Sequence, residues 1–555
     1  IVKSPIAYFL EWEKKTPNQV FLRQPKGKTW KEITYKETAI EVRKLLQVLK
    51  DMGLKKGDHI GILSKNCYHW IIADLAISLG GYISVPYYAS LPKDQLKEVI
   101  EKSDIKLLFA GKLDEWGNKG EALHDELKVI KFPHYEGNAK VDVGEEWEAL
   151  MKDKDEAKDY TLPELDELWT ILFTSGTTGS PKGVMLNYSN VAVVFRDEEK
   201  YNTLGVNELK EFRFFSFLPL NHVAERIVIE GAALYKGGSI SFGESIDTFV
   251  DNLKDTQPTV FFAVPRIWSK FQSGIFGKIK PEVVNTLLSV PLISSLFRAK
   301  LKVALGLAEA KIVLTGAALT PVHLKKWYRK LGLNLREVYG ATEACGAVTL
   351  TPKDELSDVN VGKPIAGSKI KIEDSTGEII YFSEQNMQGY YKDPEKTAEI
   401  LKDGWIYSGD KGRIDKNGSL HIVGRVKDAF KTEKGKYVTP NPIEENLLKS
   451  DLLEQACVVG LTTPQPIALV NLSENGLKKD RKQITTDLKQ HIDVVNQNLA
   501  NYEKLSTIVI TKEPWSEQNK LLTPTLKVKR NKIDDKYMNK YLDWHRESEN
   551  IIIES

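Results

Sequence analysis

Cysteine is scarce in this chain. Only Cys67, Cys345 and Cys457 occur in 555 residues, far apart and in no metal-ligand spacing. That excludes a disulfide framework and a cysteine-built zinc site, and it fits a reducing compartment. Long apolar runs are missing as well: no stretch approaches the roughly 20 residues of a membrane span, and the first residues carry no signal-peptide pattern. The chain is therefore expected in the cytoplasm, with contact to a membrane surface left open. Neither sign of charge is in excess. Against 78 basic residues stand 76 acidic ones, a balance that argues against a dedicated nucleic-acid binder. No repeat of solenoid period occurs, and the absence of His-Glu-x-x-His excludes the common metalloprotease site.

What is present reads as globular, with 41% hydrophobic and 28% charged residues. The length suggests roughly three to four domain-sized units. In the first half, apolar residues at helical spacing in "TYKETAIEVRKLLQVLKDMGL" run to Gly53. "HIGILS" then reads as a buried strand, "CYHWIIADLAISLGG" as a helix and "YISVPYY" as the next strand. Strands are expected again at "FFSFLPL", "SISF", "TVFFAVP" and "KIVLTGA", and a helix-rich insertion at residues 269 to 310. Such alternation is the α/β signature. Later the texture changes to shorter alternating strands, "SKIKIEDSTGEIIYF" and "GSLHIVGRV". Beyond them "IEENLLKS", "ACVVGL", "IALVNL" and a final helical region form a small α+β pattern. The expected cut gives domains at 1–425 and 426–555.

Four constellations carry chemistry. "TSGTTGSPKG", residues 174 to 183, is a Gly/Ser/Thr loop between apolar runs. Backbone N–H groups of Gly176, Thr177, Thr178 and Gly179 can converge on an anion, with the hydroxyls of Thr174 and Ser175 nearby and Lys182 as a point charge. A Walker loop places lysine directly after its second glycine, whereas here Ser180 and Pro181 intervene. The ordinary alternative is a polar surface loop. "VYGATEACG", residues 338 to 346, offers the flat ring of Tyr339, Gly340, the hydroxyl of Thr342 and, in Glu343, the hard oxygen ligand that Mg²⁺ prefers. A satisfied loop carboxylate is the plain alternative. "GWIYSGDKGRIDKNGSLHIVGR" places Asp410 to accept from two adjacent hydroxyls and Arg425 at the end of a strand. "LTPTLKVKRN" holds Lys527 and Lys529, followed by Lys532.

Taken in order, the four resemble the adenylate-forming superfamily, which contains acyl-CoA synthetases, adenylation domains of peptide synthetases and beetle luciferases. "LPLNHVAERIVIEGAALYKGG", with His222 followed by Glu225 and Arg226, is similar to the long-chain fatty acyl-CoA synthetase form of the next motif. "KTEKGKYVTP" and the 269–310 insertion resemble that branch too. Glu337 stands where family members often carry Gln.

The resemblance implies a large N-terminal domain of helix-covered sheets plus a small distorted barrel, followed by a small mobile α+β domain. It implies ATP, Mg²⁺ and CoA with a fatty acid, turned over by adenylation and then thioester formation. Residues 174 to 183 would take the β- and γ-phosphates, Thr342 the α-phosphate and Glu343 the metal. Tyr339, Gly340, Gly316 and Ala317 would line the adenine pocket, Asp410 and Arg425 would hold the ribose, and Lys527 would reach the acyl carboxylate. Lys529 and Lys532 are expected to be solvated. His222 would be a catalytic residue, with a packed core histidine as the alternative, and Trp268 would gate an acyl tunnel unless it is plain core. Lys427 would be the hinge and Gly435 would lie on the CoA-side loop. The competing readings are an adenylate-forming enzyme for medium-chain, aryl or amino acids, and a nucleotide-binding scaffold without turnover.

Overall fold

The computed structural model describes residues 2–174, 180–291, 293–355, 359–547 and 549–554. Among these the chain forms two compact units, one from residues 2–174, 181–369 and 381–406, the other chiefly from 370–380 and 407–554.

The first unit contains three sheets. In the largest, the central order is Lys182–Asn187, Leu168–Thr174, Ile83–Tyr87, His59–Leu63, Ile105–Ala110 and Lys128–Lys131, with Gly389–Tyr390 and Glu145–Glu146 at the edges. From Leu168–Thr174 to Lys128–Lys131 the pairs are parallel. Both faces of a parallel sheet must be covered, which is why "HIGILS" reads as an unbroken apolar run. Helix Tyr68–Leu79 is buried at every position but Tyr68, as expected of a helix packed between layers. Helix Tyr35–Asp51 starts at a capping box in which the Thr34 side chain and Glu37 satisfy each other's backbone N–H. A second sheet runs Val260–Ala263, Ile312–Gly316, Arg336–Ala341, Gly346–Leu350 and Lys363–Pro364, its first three strands parallel. The third has the order Arg213–Ser216, Ser239–Phe242, Val20–Lys26 and Thr29–Thr34. The insertion expected at 269–310 comprises the end of helix Pro265–Phe276 and helices Pro281–Ser289 and Ile293–Ala304.

In the second unit, strands Trp405–Ile414 and Leu420–Arg425 pair antiparallel. Beyond them a four-stranded sheet has the order Leu453–Val459, Ile467–Leu472, Thr507–Ile510 and Ile551–Ile553. Its strands alternate between two apolar layers. Val458, Ala468, Val470 and Ile508 pack with Ile443, Leu488 and Ile492 of the covering helices. Cys457, Ile467, Leu469 and Val509 pack with Ile533, Tyr541 and Trp544 on the other face. The final helical region is present as Arg530–Tyr537 and Tyr541–Arg546, and a further strand, Ile551–Ile553, follows it and pairs parallel with Thr507–Ile510. Three isoleucines carry too short a pattern to mark a strand without the neighbour that pairs with them.

Candidate functional site

In the first unit the candidate residues gather at strand ends. Strands Leu168–Thr174 and Lys182–Asn187 are antiparallel, with Thr174 opposite Lys182. Ser175, Gly176, Thr177, Thr178 and Gly179 lie outside the described residues. The Lys182 ammonium lies 5.4 Å from the ring centre of Tyr390, and the Tyr390 hydroxyl donates to Glu343 Oε1 at 2.7 Å. Lys182, Tyr390 and Glu343 therefore form one connected group although up to 208 positions separate them in sequence. Burial, and then the Glu343 charge, push the Tyr390 phenol well above its ordinary value, so it remains a proton donor. Tyr390 was not singled out from the sequence; the only signal was its place in "GYYKDPEKT".

The parallel strands Ile312–Gly316 and Arg336–Ala341 lie side by side, with Gly316 opposite Val338. Their carboxyl ends present Gly316, Ala317, Tyr339, Gly340, Thr342 and Glu343 in succession, the location at which open α/β sheets bind ligands. Two backbone features hold this edge. A Cβ on Gly340 would fall 1.9 Å from the Gly346 carbonyl oxygen, so only glycine fits there. Ala317 has φ 66°, a left-handed conformation that costs a non-glycine residue energy and clusters at functional sites. Thr342 opens a single 3₁₀ turn through Ala344, and the Glu343 carbonyl accepts the Met387 N–H at 2.8 Å.

Glu337 takes a different part. It is 2% exposed, is ion-paired with the equally buried Lys325 of helix Val322–Leu331, and accepts the Thr320 N–H at 2.8 Å. Burial raises its pKa and Lys325 opposes that rise. The residue that departs from the family's usual Gln thus has its own local counter-charge.

His222 caps the short helix Val223–Glu225, its Nδ1 accepting the Ala224 N–H at 3.2 Å. In the neutral ring the proton is therefore on Nε2. Glu225 and Arg226, adjacent in sequence, take separate partners. Glu225 Oε1 accepts from Ser216 Oγ at 2.8 Å and the Phe217 N–H at 3.0 Å, and burial pushes its pKa up to about 8. Arg226, fully buried, pairs with Asp74 at 2.8 Å and Glu230 at 3.0 Å and lies over the Trp169 ring at 4.4 Å. It opens a π-helical turn, Arg226–Gly231, a form often found at functional sites. Trp268 is fully buried, donates to the Ala263 carbonyl at 3.1 Å and packs edge-on against Phe261, Phe271 and Tyr328.

In the second unit Asp410 and Arg425 face each other across paired strands, Arg425 Nε lying 2.9 Å from Asp410 Oδ1. Exposed Lys427 follows two residues later. Gly435, at φ 75°, closes the turn between Phe430–Lys431 and Tyr437–Val438. Lys527 is exposed on a tight turn. Its N–H donates to Thr523 Oγ1 at 3.0 Å, its carbonyl accepts the Thr523 N–H at 2.8 Å, and Leu526 beside it has φ 62°. Lys532 pairs with Asp535 at 3.1 Å. Lys529 is half-buried with a lowered pKa caused first by burial, which corrects the expectation that it is solvated.

Among the described residues no group of three or more His, Cys, Asp or Glu side chains could hold a metal. A single carboxylate beside phosphate oxygens is nonetheless the usual protein share of a Mg²⁺ site, and Glu343 offers that.

A family model described as AMP-binding enzyme matches residues 9–391, and one for the AMP-binding enzyme C-terminal domain matches 427–543. The chain is 31% identical to fatty acyl-CoA synthetase B of Dictyostelium discoideum, covering 88% of this chain and 81% of that protein. It is 30% identical to long-chain-fatty-acid–CoA ligase 5 of Mus musculus, over 92% and 83%. Among solved structures, the A domain of carboxylic acid reductase from Segniliparus rugosus, in complex with AMP, aligns with a TM-score of 0.80 at 20% identity, over 97% and 93% of the two chains. The o-succinylbenzoate coenzyme A synthetase of Bacillus subtilis, in complex with ATP and magnesium ion, aligns at 0.73 and 19%, over 94% and 98%.

The buried pair makes a prediction. Glu337→Gln takes the counter-charge away from the buried Lys325 ammonium, which also reaches the Asn360 carbonyl at 3.4 Å, and should cost about 3–5 kcal/mol in denaturant unfolding. Adding Lys325→Met should recover most of that loss; no recovery would mean that the two are not coupled.

Proposed function

The chain belongs to the AMP-binding enzyme family, and from that premise we propose that it is a long-chain fatty acid:CoA ligase working through an acyl-adenylate. In the first half-reaction a carboxylate oxygen attacks the α-phosphorus of ATP. The bond to the β-phosphate breaks, leaving acyl-AMP and pyrophosphate. In the second the CoA thiolate attacks the acyl carbonyl and AMP leaves.

The observation that carries this reading is the convergence of Lys182, Tyr390 and Glu343 beside the strand ends that bear Tyr339 and Thr342. Attack of one anion on another needs positive charge and donors fixed in advance. Lys182, with the loop from Thr174, neutralises charge on the departing pyrophosphate, and Thr342 donates to the α-phosphate. Glu343, oriented by Tyr390, receives Mg²⁺, which supplies Lewis-acid neutralisation of the phosphates when bound. Gly316, Ala317, Tyr339 and Gly340 line the adenine pocket. Asp410, steadied by Arg425, accepts from the ribose hydroxyls. His222, whose Nδ1 is occupied by the Ala224 N–H, offers an Nε2 proton on the acyl side. Lys527 serves the acyl carboxylate in adenylation only. Lys427 is the hinge that separates the domains proposed at 1–425 and 426–555, and Gly435 belongs to the thiol route. Trp268, bonded through its indole to Ala263, packs as core, and an acyl-tunnel gate there requires the Phe261 and Tyr328 contacts to open.

The long-chain preference rests on the likeness to the Mus musculus ligase named above and on the 269–310 helices. An acid ladder from acetate to oleate, with and without CoA, tests it. Thioester and AMP should rise with chain length, since each buried methylene contributes about 0.8 kcal/mol. Pyrophosphate exchange without thioester would favour an aryl or amino-acid adenylating enzyme, and neither product would favour a scaffold.

Lys527→Ala should lower adenylation by two orders of magnitude or more, about 3 kcal/mol of transition-state stabilisation, and spare thioester formation from supplied acyl-adenylate. Equal loss of both steps would contradict its separate role.

A further inference from the structure

Three of the large apolar side chains that the fold leaves in solvent lie on one helix. In Ile293–Ala304, Ile293 is 51%, Leu296 64% and Val303 54% exposed. A separate face is already used: Leu301 and the following Leu305 are buried, and Phe297 packs against the same cluster. Positions 293, 296, 300 and 303 recur at helical spacing, so the outward residues form one stripe, Ile293, Leu296, Lys300 and Val303. A helix that keeps an apolar stripe outside its core face has a second partner to meet.

Charge says what kind of partner. Residues 278 to 302 contain Lys278, Lys280, Arg298, Lys300 and Lys302 against the single acid Glu282. Among the described residues none of these five cations is ion-paired, and Lys278, Lys280 and Lys300 are exposed. Arg298 reaches the Leu288 carbonyl at 3.2 Å, which ties the helix to its neighbour. Val283 at the start of the neighbouring helix Pro281–Ser289 is exposed as well. By contrast, Ile246, at 92% the most exposed large apolar side chain among the described residues, sits among Glu244, Asp247 and Asp251, where an anionic surface would be repelled.

We propose that helix Ile293–Ala304, with the start of helix Pro281–Ser289 beside it, docks on anionic lipid bilayers. Ile293, Leu296 and Val303 enter the headgroup–acyl boundary, while the stem of Lys300 lies along the stripe and its ammonium reaches the lipid phosphates. Self-association through this stripe would bring a Lys300 of each copy into one apolar contact without an acidic partner, which disfavours a second copy as the occupant. The proposal deepens the fatty-acid reading and rests on it for its purpose, because a long-chain acid partitions into membranes; the docking surface itself stands on exposure and charge.

The test is flotation of the full chain with vesicles of phosphatidylcholine alone and of an equal mixture of phosphatidylcholine and phosphatidylglycerol, with no acid, ATP or CoA present. Binding is expected to the mixed vesicles and to fall with added salt. Lys300→Ala should lower the partition coefficient about fivefold, the effect of one charge near an anionic surface. Leu296→Glu should lower it at least as far, and since Leu296 is mostly exposed the far-UV circular dichroism should not change. Ligase activity on acid delivered by albumin should be unaffected in both variants. No binding of the unaltered protein to mixed vesicles, or binding that neither variant weakens, overturns the proposal. A concentration-dependent dimer that Leu296→Glu dissolves, without vesicle binding, assigns the stripe to a second copy and overturns it too. Vesicle binding in a protein that forms no thioester with any acid would leave the docking surface standing and remove the ligase reading instead.

Discussion

A carboxylate and a triphosphate repel each other, and the proposed chemistry depends on overcoming that repulsion before the reacting atoms meet. The hydrogen bond from Tyr390 to Glu343 is central to this. It fixes the Glu343 carboxylate, which we propose takes the metal, while the same ring lies beside the Lys182 ammonium. One aromatic residue thus places a negative and a positive group at set positions. A preorganised site avoids the cost of ordering such groups during reaction, and the left-handed Ala317 and the glycine-only position 340 are backbone costs accepted on the same edge.

Much of this was legible along the chain. Strand and helix periodicities located the α/β layers of the first unit, and the apolar runs of "ACVVGL" and "IALVNL" followed from a sheet covered on both faces. The order of the four constellations pointed to adenylation through its resemblance to the adenylate-forming superfamily, and each residue type suits the part that the resemblance gives it: hydroxyl and amide donors for phosphate, a carboxylate for metal, a carboxylate with arginine for ribose.

What remained hidden depends on contacts distant in sequence. Tyr390 lies 47 residues from the carboxylate it orients, and no local pattern marks a tyrosine as anyone's partner. Glu337 looked like a departure at a ligand site until Lys325 and the Thr320 N–H accounted for it. Glu225 and Arg226 looked like one pair, yet the turn sends them to different partners, Ser216 and Phe217 for one, Asp74 and Glu230 for the other. Buried ions are costly unless paired, so the Arg226 cluster specifies how the helices Tyr68–Leu79 and Val223–Glu225 are joined through the π-turn. Lys529 shows the same limit: a basic residue in a basic string reads as solvated, and only packing reveals that it is half-buried.

The account stands or falls on where the carboxylate attacks. Turnover of a long-chain acid carrying ¹⁸O in both carboxylate oxygens, followed by mass analysis of the products, answers this directly. Attack on the α-phosphorus places one labelled oxygen in AMP and none in pyrophosphate. Label in inorganic phosphate with release of unlabelled ADP, or unlabelled AMP during thioester formation, would contradict an acyl-adenylate and with it the roles assigned to Lys182, Thr342 and Glu343.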